Sequence, residues 1–203
     1  MIVKSEYMIR NILIYSLLFL GFSCDDTYSP KPKGYFKIDF PEKSYTTFNE
    51  PGYPYSFDYP TYGKVIKDST FFDTIAENPY WVNIDFPKFG ARIHLSYKFI
   101  KQKTQTNLLI QDAFKLTGKH SIKASYIDEI PINEGPGKYG FIFDVGGNAA
   151  TGKQFYLTDS SRHFIRGALY FEATPNFDSI SPSADFLYKD MQYMIKTLKW
   201  KYN

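Results

Sequence analysis

The order of its segments predicts that this chain folds as an α+β protein, with a central, mostly antiparallel sheet flanked by two main helices. Three observations carry the prediction. Apolar and polar residues alternate with period two in segment after segment between residues 55 and 171. Two stretches, near 106–118 and 181–198, carry apolar residues at helical spacing instead. Strands come in runs separated by single helices, without the strict strand–helix alternation of a parallel sheet.

The elements follow in order. Tyr55-Ser56-Phe57-Asp58-Tyr59-Pro60 alternates aromatic with polar, as a half-buried strand does. Tyr80–Phe86 and Ala91–Lys98 repeat the pattern, and Pro87-Lys88-Phe89-Gly90 between them reads as a hairpin connection. Thr106 is the expected N-cap of a first helix whose stripe is Leu109, Ile110, Ala113 and Leu116 and whose stop is Gly118. Strands resume at Ile122–Ile130, Lys138–Val145, Gln154–Thr158 and Phe164–Phe171. A second helix is expected from Ser181 as cap and Pro182 at its first position, burying Leu187, Met191, Met194, Ile195 and Leu198. This order resembles that of the PsbP and Mog1 group, an α/β/α sandwich.

The N-terminus carries different information. Lys4 and Arg10 precede the apolar run Ile12–Leu20, and Gly21-Phe22-Ser23 leads into Cys24, the only cysteine of the 203 residues. That is the layout of an export signal. The apolar run falls well short of the roughly 20 residues a membrane-spanning helix needs. A solitary cysteine directly after the cleavage point favours a bacterial lipoprotein, with lipid on the Cys24 thiol, over plain secretion. Gly21 departs from the aliphatic residue expected three positions before such a cysteine. Met8 is an alternative start. The organisation expected is therefore a signal peptide at 1–23, a lipidated cysteine and proline-rich tether or arm at 24–54, and one α+β domain at 55–203. Asp25 and Asp26 read as a solvated linker or as a membrane-sorting signal favouring the outer membrane over the inner.

Composition excludes several classes. The net charge is +3, about +2 once the leader is removed, too little for a nucleic-acid footprint. Aromatic residues make up 19% of the chain, so scattered surface rings need no functional reason. The segment Gly147–Lys153 fits the phosphate-loop spacing, but Gln154 stands where Ser or Thr should hold magnesium, and a strand-like run follows instead of a helix. His94, His120 and His163 lack metal-ligand spacing. Asp159-Ser160-Ser161-Arg162-His163 reads as a turn between strands, without the elbow of a serine nucleophile. No catalytic residue, metal site or cofactor is expected.

Several longer strings carry a family resemblance. They are Pro30–Pro41, Phe86–Phe89 with Ile93–Lys98, Gly147–Ala150, Gln154–Ser160, His163–Phe171 and Pro175–Ile180. Together they make the chain resemble the gliding-motility lipoprotein GldD family of Bacteroidota over nearly its whole mature length. The resemblance implies a membrane-anchored part of the gliding machinery, linked to type IX protein secretion, with other machinery proteins as partners. The expected role is structural or in assembly, without catalysis. The rivals are an exported hydrolase or carbohydrate-acting enzyme, which needs a cleft gathering His94, His163 or paired carboxylates, and a small-molecule binding module, which needs a sizeable apolar pocket. The candidate interaction surface is the arm at Tyr35, Phe36, Lys37 and Asp39 with loop positions Asn148, Asp159, Ser160, His163 and Arg166.

Overall fold

The computed structural model describes residues 37–67, 70–71, 74–75 and 79–202. The expected signal peptide at 1–23, Cys24, Tyr35 and Phe36 lie outside the described residues. Residues Ile38–Asn203 form one compact unit.

Seven antiparallel strands make the main sheet: β3 (Lys64–Lys67), β6 (Val82–Phe86), β7 (Ala91–Phe99), β11 (His163–Phe171), β10 (Lys153–Thr158), β9 (Tyr139–Gly147) and β8 (Ala124–Asn133), in that spatial order. β8 to β11 form a meander; β6 and β7 form a hairpin through a short 3-10 turn, Pro87–Phe89, closed by Gly90 at φ +52°. The pairing that joins these halves is β7 with β11, residues far apart in sequence, from His163↔Phe99 to Phe171↔Ala91. β1 (Tyr45–Phe48), β2 (Tyr55–Pro60) and β12 (Lys199–Trp200) form a second, three-stranded sheet. β4 (Thr70–Phe71) and β5 (Thr74–Ile75) pair as a two-stranded ribbon.

Helix α1 (Lys103–Gly118) covers one face of the main sheet, and helix α2 (Phe177–Thr197) with the small sheet covers the other. Side chains alternate between faces along each strand, so the sheet feeds two cores. Ile93, Leu95, Phe155, Leu157, Ile165 and Leu169 meet Leu187, Met191, Met194 and Ile195 of α2. Phe143, Val145, Tyr156 and Phe164 meet Ala113, Leu109, Ile110 and Phe114 of α1. β10 lies between both helices and is buried at all six positions.

Both helices start earlier than their sequence signals predict. α1 begins at Lys103 with Gln102 as its cap, and Thr106 is buried inside it. Docking on the sheet turns the Thr106 face inward, which outweighs its preference for a cap. α2 begins at Phe177 with Asn176 as cap, leaving Pro182 inside the helix. Asn176 accepts from Ser179 N–H at 3.4 Å, and Asn148 of the β9–β10 loop accepts from Phe177 N–H at 2.9 Å. Two side chains thus satisfy orphan amides at the helix start, one reaching from a distant loop, and the helix tolerates the backbone bond lost at Pro182. β1, β3, β4, β5 and β12 are short strands without an alternation long enough to mark them.

Candidate functional site

At one end of the β10–β11 hairpin the chain turns tightly through Asp159–His163. Asp159 Oδ1 accepts from the amides of Ser161 (2.9 Å), Arg162 (2.8 Å) and His163 (2.8 Å), and Oδ2 accepts from Ser161 Oγ at 3.0 Å. Ser160 takes the left-handed conformation, φ +63°, that the turn demands. Burial opposes the charge on Asp159, but the hydrogen bonds from His163, Arg162 and Ser161 outweigh it and hold the carboxyl below its ordinary range. The carboxylate therefore organises a loop and has little capacity left for a substrate.

The first residue of β11, His163, is 2% exposed. Its Nδ1 pairs with the Tyr97 hydroxyl at 2.6 Å, while its buried Nε2 has no hydrogen-bond partner among the described residues. Its ring stacks on Trp200 (5.0 Å, 6°) and meets Tyr202 edge to face (5.1 Å, 71°). Trp200 is held in turn by donation from Nε1 to the Gly137 carbonyl at 2.6 Å. Burial, with Arg162 nearby, pushes the His163 pKa down against the opposing pull of Asp159. A cavity of about 510 Å³ opens beside this ring, walled by Tyr80, Phe99 and Tyr202 and edged by Lys101, Arg162 and Lys201.

A second polar cluster holds the N-terminal arm on α2. Asp190, 1% exposed, pairs with Lys43 at 2.7 Å, accepts from Tyr45 Oη at 3.0 Å and accepts a short hydrogen bond from the Tyr62 hydroxyl. Lys43 Nζ also donates to the Phe186 carbonyl at 2.9 Å and lies 3.4 Å over the Phe186 ring centre. Phe40 stacks on the same ring at 4.4 Å. Burial first, then the Asp190 hydrogen bond, pushes the Tyr45 phenol up to about 12.

The predicted surface residues fall in separate places. Asp159, Ser160 and His163 share one hairpin end. Lys37 and Asp39 are exposed positions of the arm. Asn148 sits in the loop at the opposite end of β10, which spans about 20 Å, and caps α2. Arg166 lies on the α1 face of the sheet, donating to Gln154 Oε1 at 2.5 Å. The phosphate-loop look-alike does face a helix N-terminus, that of α2, but Asn148 occupies its amide, and Lys153 is committed to Asp144 at 2.7 Å and Asp185 at 3.7 Å. A slot of about 50 Å³ beside it is lined by small residues such as Ala149, Ala150 and Ala184. His94 and His163 point to opposite faces of the sheet, since β7 and β11 set His94 beside Ala168 and His163 beside Phe99. Among the described residues, no three His, Cys, Asp or Glu side chains gather as a metal site would require.

Sequence reasoning missed Tyr97, Trp200, Tyr202, Lys101, Arg162 and Lys201 around His163, and Lys43, Tyr45, Tyr62 and Asp190 in the arm cluster. One signal was readable: Tyr97 and Phe99 lie two apart on β7, and Trp200 and Tyr202 repeat that spacing at the C-terminal end. Their meeting across the β7–β11 seam and the C-terminus was not.

Among the described residues no helix is long and apolar enough to cross a membrane, which says nothing of a β-barrel. No curated protein matches the chain at a significant level. Among solved structures, the solution structure of cyanobacterial PsbP (CyanoP) from Synechocystis sp. PCC 6803 is similar at 13% identity and TM-score 0.47, covering 81% of this chain and 97% of that one. The gliding motility lipoprotein GldD family matches residues 25–200. That match covers most of the 203 residues, and the chain belongs to the gliding motility lipoprotein GldD family.

Proposed function

We propose that the protein is a membrane-anchored component of the gliding apparatus that acts in assembly or stability of that machine and of the linked type IX secretion system, without catalysis of its own. The family match over residues 25–200 carries the reading. Lipid on Cys24 holds the protein at the cell envelope, at the outer membrane in preference to the inner. Two or more buried acyl chains anchor it stably, at about 0.8 kcal/mol per CH₂. The proline-rich segment sets its reach, and the sheet domain presents its surface to other machine components. The arm cluster supports this division of labour: Lys43 and Phe40 tie the chain leaving the tether directly to α2, so a load on the anchor enters the domain through a packed, charged contact.

The separation of His94 from His163 across the sheet gives no support to a histidine-based hydrolase cleft. Deletion of the gene tests the role. Loss of colony spreading and of cargo secretion is expected, restored by the wild-type chain and not by Cys24→Ala. Normal spreading in the deletion strain would overturn the proposal, and palmitate labelling of the Cys24→Ala product would overturn the anchor.

A further inference from the structure

We propose that the cavity beside His163 is a binding site for a phosphate group carried on a flat or apolar body. The site is independent of the gliding role argued above. Four observations converge on it. The cavity, about 510 Å³, has the size of a small-ligand pocket. Among the described residues its edge carries three cations, Lys101, Arg162 and Lys201, and no carboxylate side chain. Lys201 Nζ is engaged only with the Glu50 carbonyl at 3.1 Å, and Lys101 Nζ and the Arg162 guanidinium make no hydrogen bond or ion pair among the described residues. The fourth is His163 itself, buried to 2% exposure with Nε2 unpaired.

The chemistry follows from the hydrogen bonds. The Tyr97 Oη–Nδ1 pair, 2.6 Å apart, fits either tautomer; in the one where the hydroxyl donates, the neutral imidazole carries its proton on Nε2 and offers it to a ligand. A buried N–H with no acceptor is costly, by about 1–3 kcal/mol. A phosphate oxygen satisfies it while the guanidinium fork of Arg162 takes two others. Asp159 does not line the cavity, and its carboxylate is engaged in the turn, Oδ1 by three amides and Oδ2 by the Ser161 hydroxyl. Tyr80, Phe99 and Tyr202 give the apolar or planar body of the ligand its walls. Tyr202, 61% exposed and joined to Asp159 by only a long 3.4 Å hydrogen bond, is the wall most easily displaced on entry.

The full chain carries three histidines, which makes the test selective. Ring-¹⁵N-labelled full chain in neutral detergent is titrated with inorganic phosphate, and separately with a short-chain phosphatidylglycerol below its micelle concentration. Saturable movement of the His163 ring signals, with His94 and His120 unmoved, is expected. Saturation by inorganic phosphate assigns a soluble ligand; movement with the lipid alone assigns a headgroup. The Lys101→Ala/Arg162→Ala double variant changes only exposed residues and should bind at least about tenfold more weakly, the loss of one charge-assisted hydrogen bond or more. The site is refuted if neither probe moves His163, if all three histidines move in parallel, or if the double variant binds as the wild type does.

Discussion

Replacing Asp190 by alanine tests whether the arm is held to α2 by its charge cluster. Asp190 is 1% exposed and serves Lys43 at 2.7 Å, Tyr45 at 3.0 Å and the Tyr62 hydroxyl. Hydrogen bonds to a charged group contribute about 1.5–3 kcal/mol each, and removing one partner of a fully buried ion pair costs roughly 3–5 kcal/mol. The upper end does not apply, because the Lys43 side chain is 29% exposed and its ammonium can rehydrate once freed. A loss of about 3 kcal/mol is the result. With a urea slope of about 2 kcal/mol/M, the midpoint falls by about 1.5 M, and the melting temperature by roughly 6–12 °C for a domain of this size. Chemical denaturation followed by tryptophan fluorescence reads it. A Lys43→Met/Asp190→Leu double variant should recover part of the loss, since apolar replacement of a buried pair is close to neutral while the Tyr45 and Tyr62 hydroxyls still lose their acceptor. A midpoint within about 0.3 M of wild type for Asp190→Ala would refute the claim that this cluster secures the arm.

Other perturbations follow from the same geometry. Asn148→Ala removes the acceptor for Phe177 N–H and should cost about 0.5–1 kcal/mol in a urea melt, leaving the Asn176 cap in place; no change would mean the loop does not fix the helix start. Gly140→Ala puts a Cβ 1.9 Å from the Tyr156 carbonyl across the β9–β10 ladder, a backbone clash that cannot relax by rotamer change. It should cost at least about 3 kcal/mol, read as loss of soluble, cooperatively unfolding protein. Acidification acts through two groups. Burial lowers the His163 pKa, so below about 6.5 the unfolded chain binds the proton more readily and stability falls as pH drops. The depressed carboxyl of Asp159 adds stability above about 3.9 that is lost as pH falls through its folded value. Urea midpoints from about pH 8 to about pH 2 should therefore decline in both windows, the upper below about 6.5 and the lower below about 3.9. His163→Gln should flatten the upper one, less the share of His120, which burial also lowers; an unchanged pH profile in that variant would refute the assignment.

The sequence by itself determined the class of fold and the character of each long strand. Alternation in Ala91–Lys98 and Phe164–Phe171 reports burial on one face, and that information is local. The stripe of α2 from Leu187 to Ile195 was legible for the same reason, and so was the Asp159–His163 turn, whose residue types carry their own hydrogen-bonding geometry. The family strings were also written in consecutive residues. Tertiary structure alone decided the rest. Asn148 caps α2 by accepting from Phe177 N–H, 29 residues further along the chain, and the docking of α1 moved its start away from Thr106. Short strands such as β1 and β12 exist because other strands receive them; they carry too few residues for a periodic signal. The His163 cavity draws on the residues around Pro54, Tyr80 before β6, the end of β7, the start of β11 and the C-terminus, five stretches with no shared motif. Proximity created by the β7–β11 seam is a property of the closed sheet, since hydrogen-bonded pairing across a long loop leaves no local trace in the residues it joins.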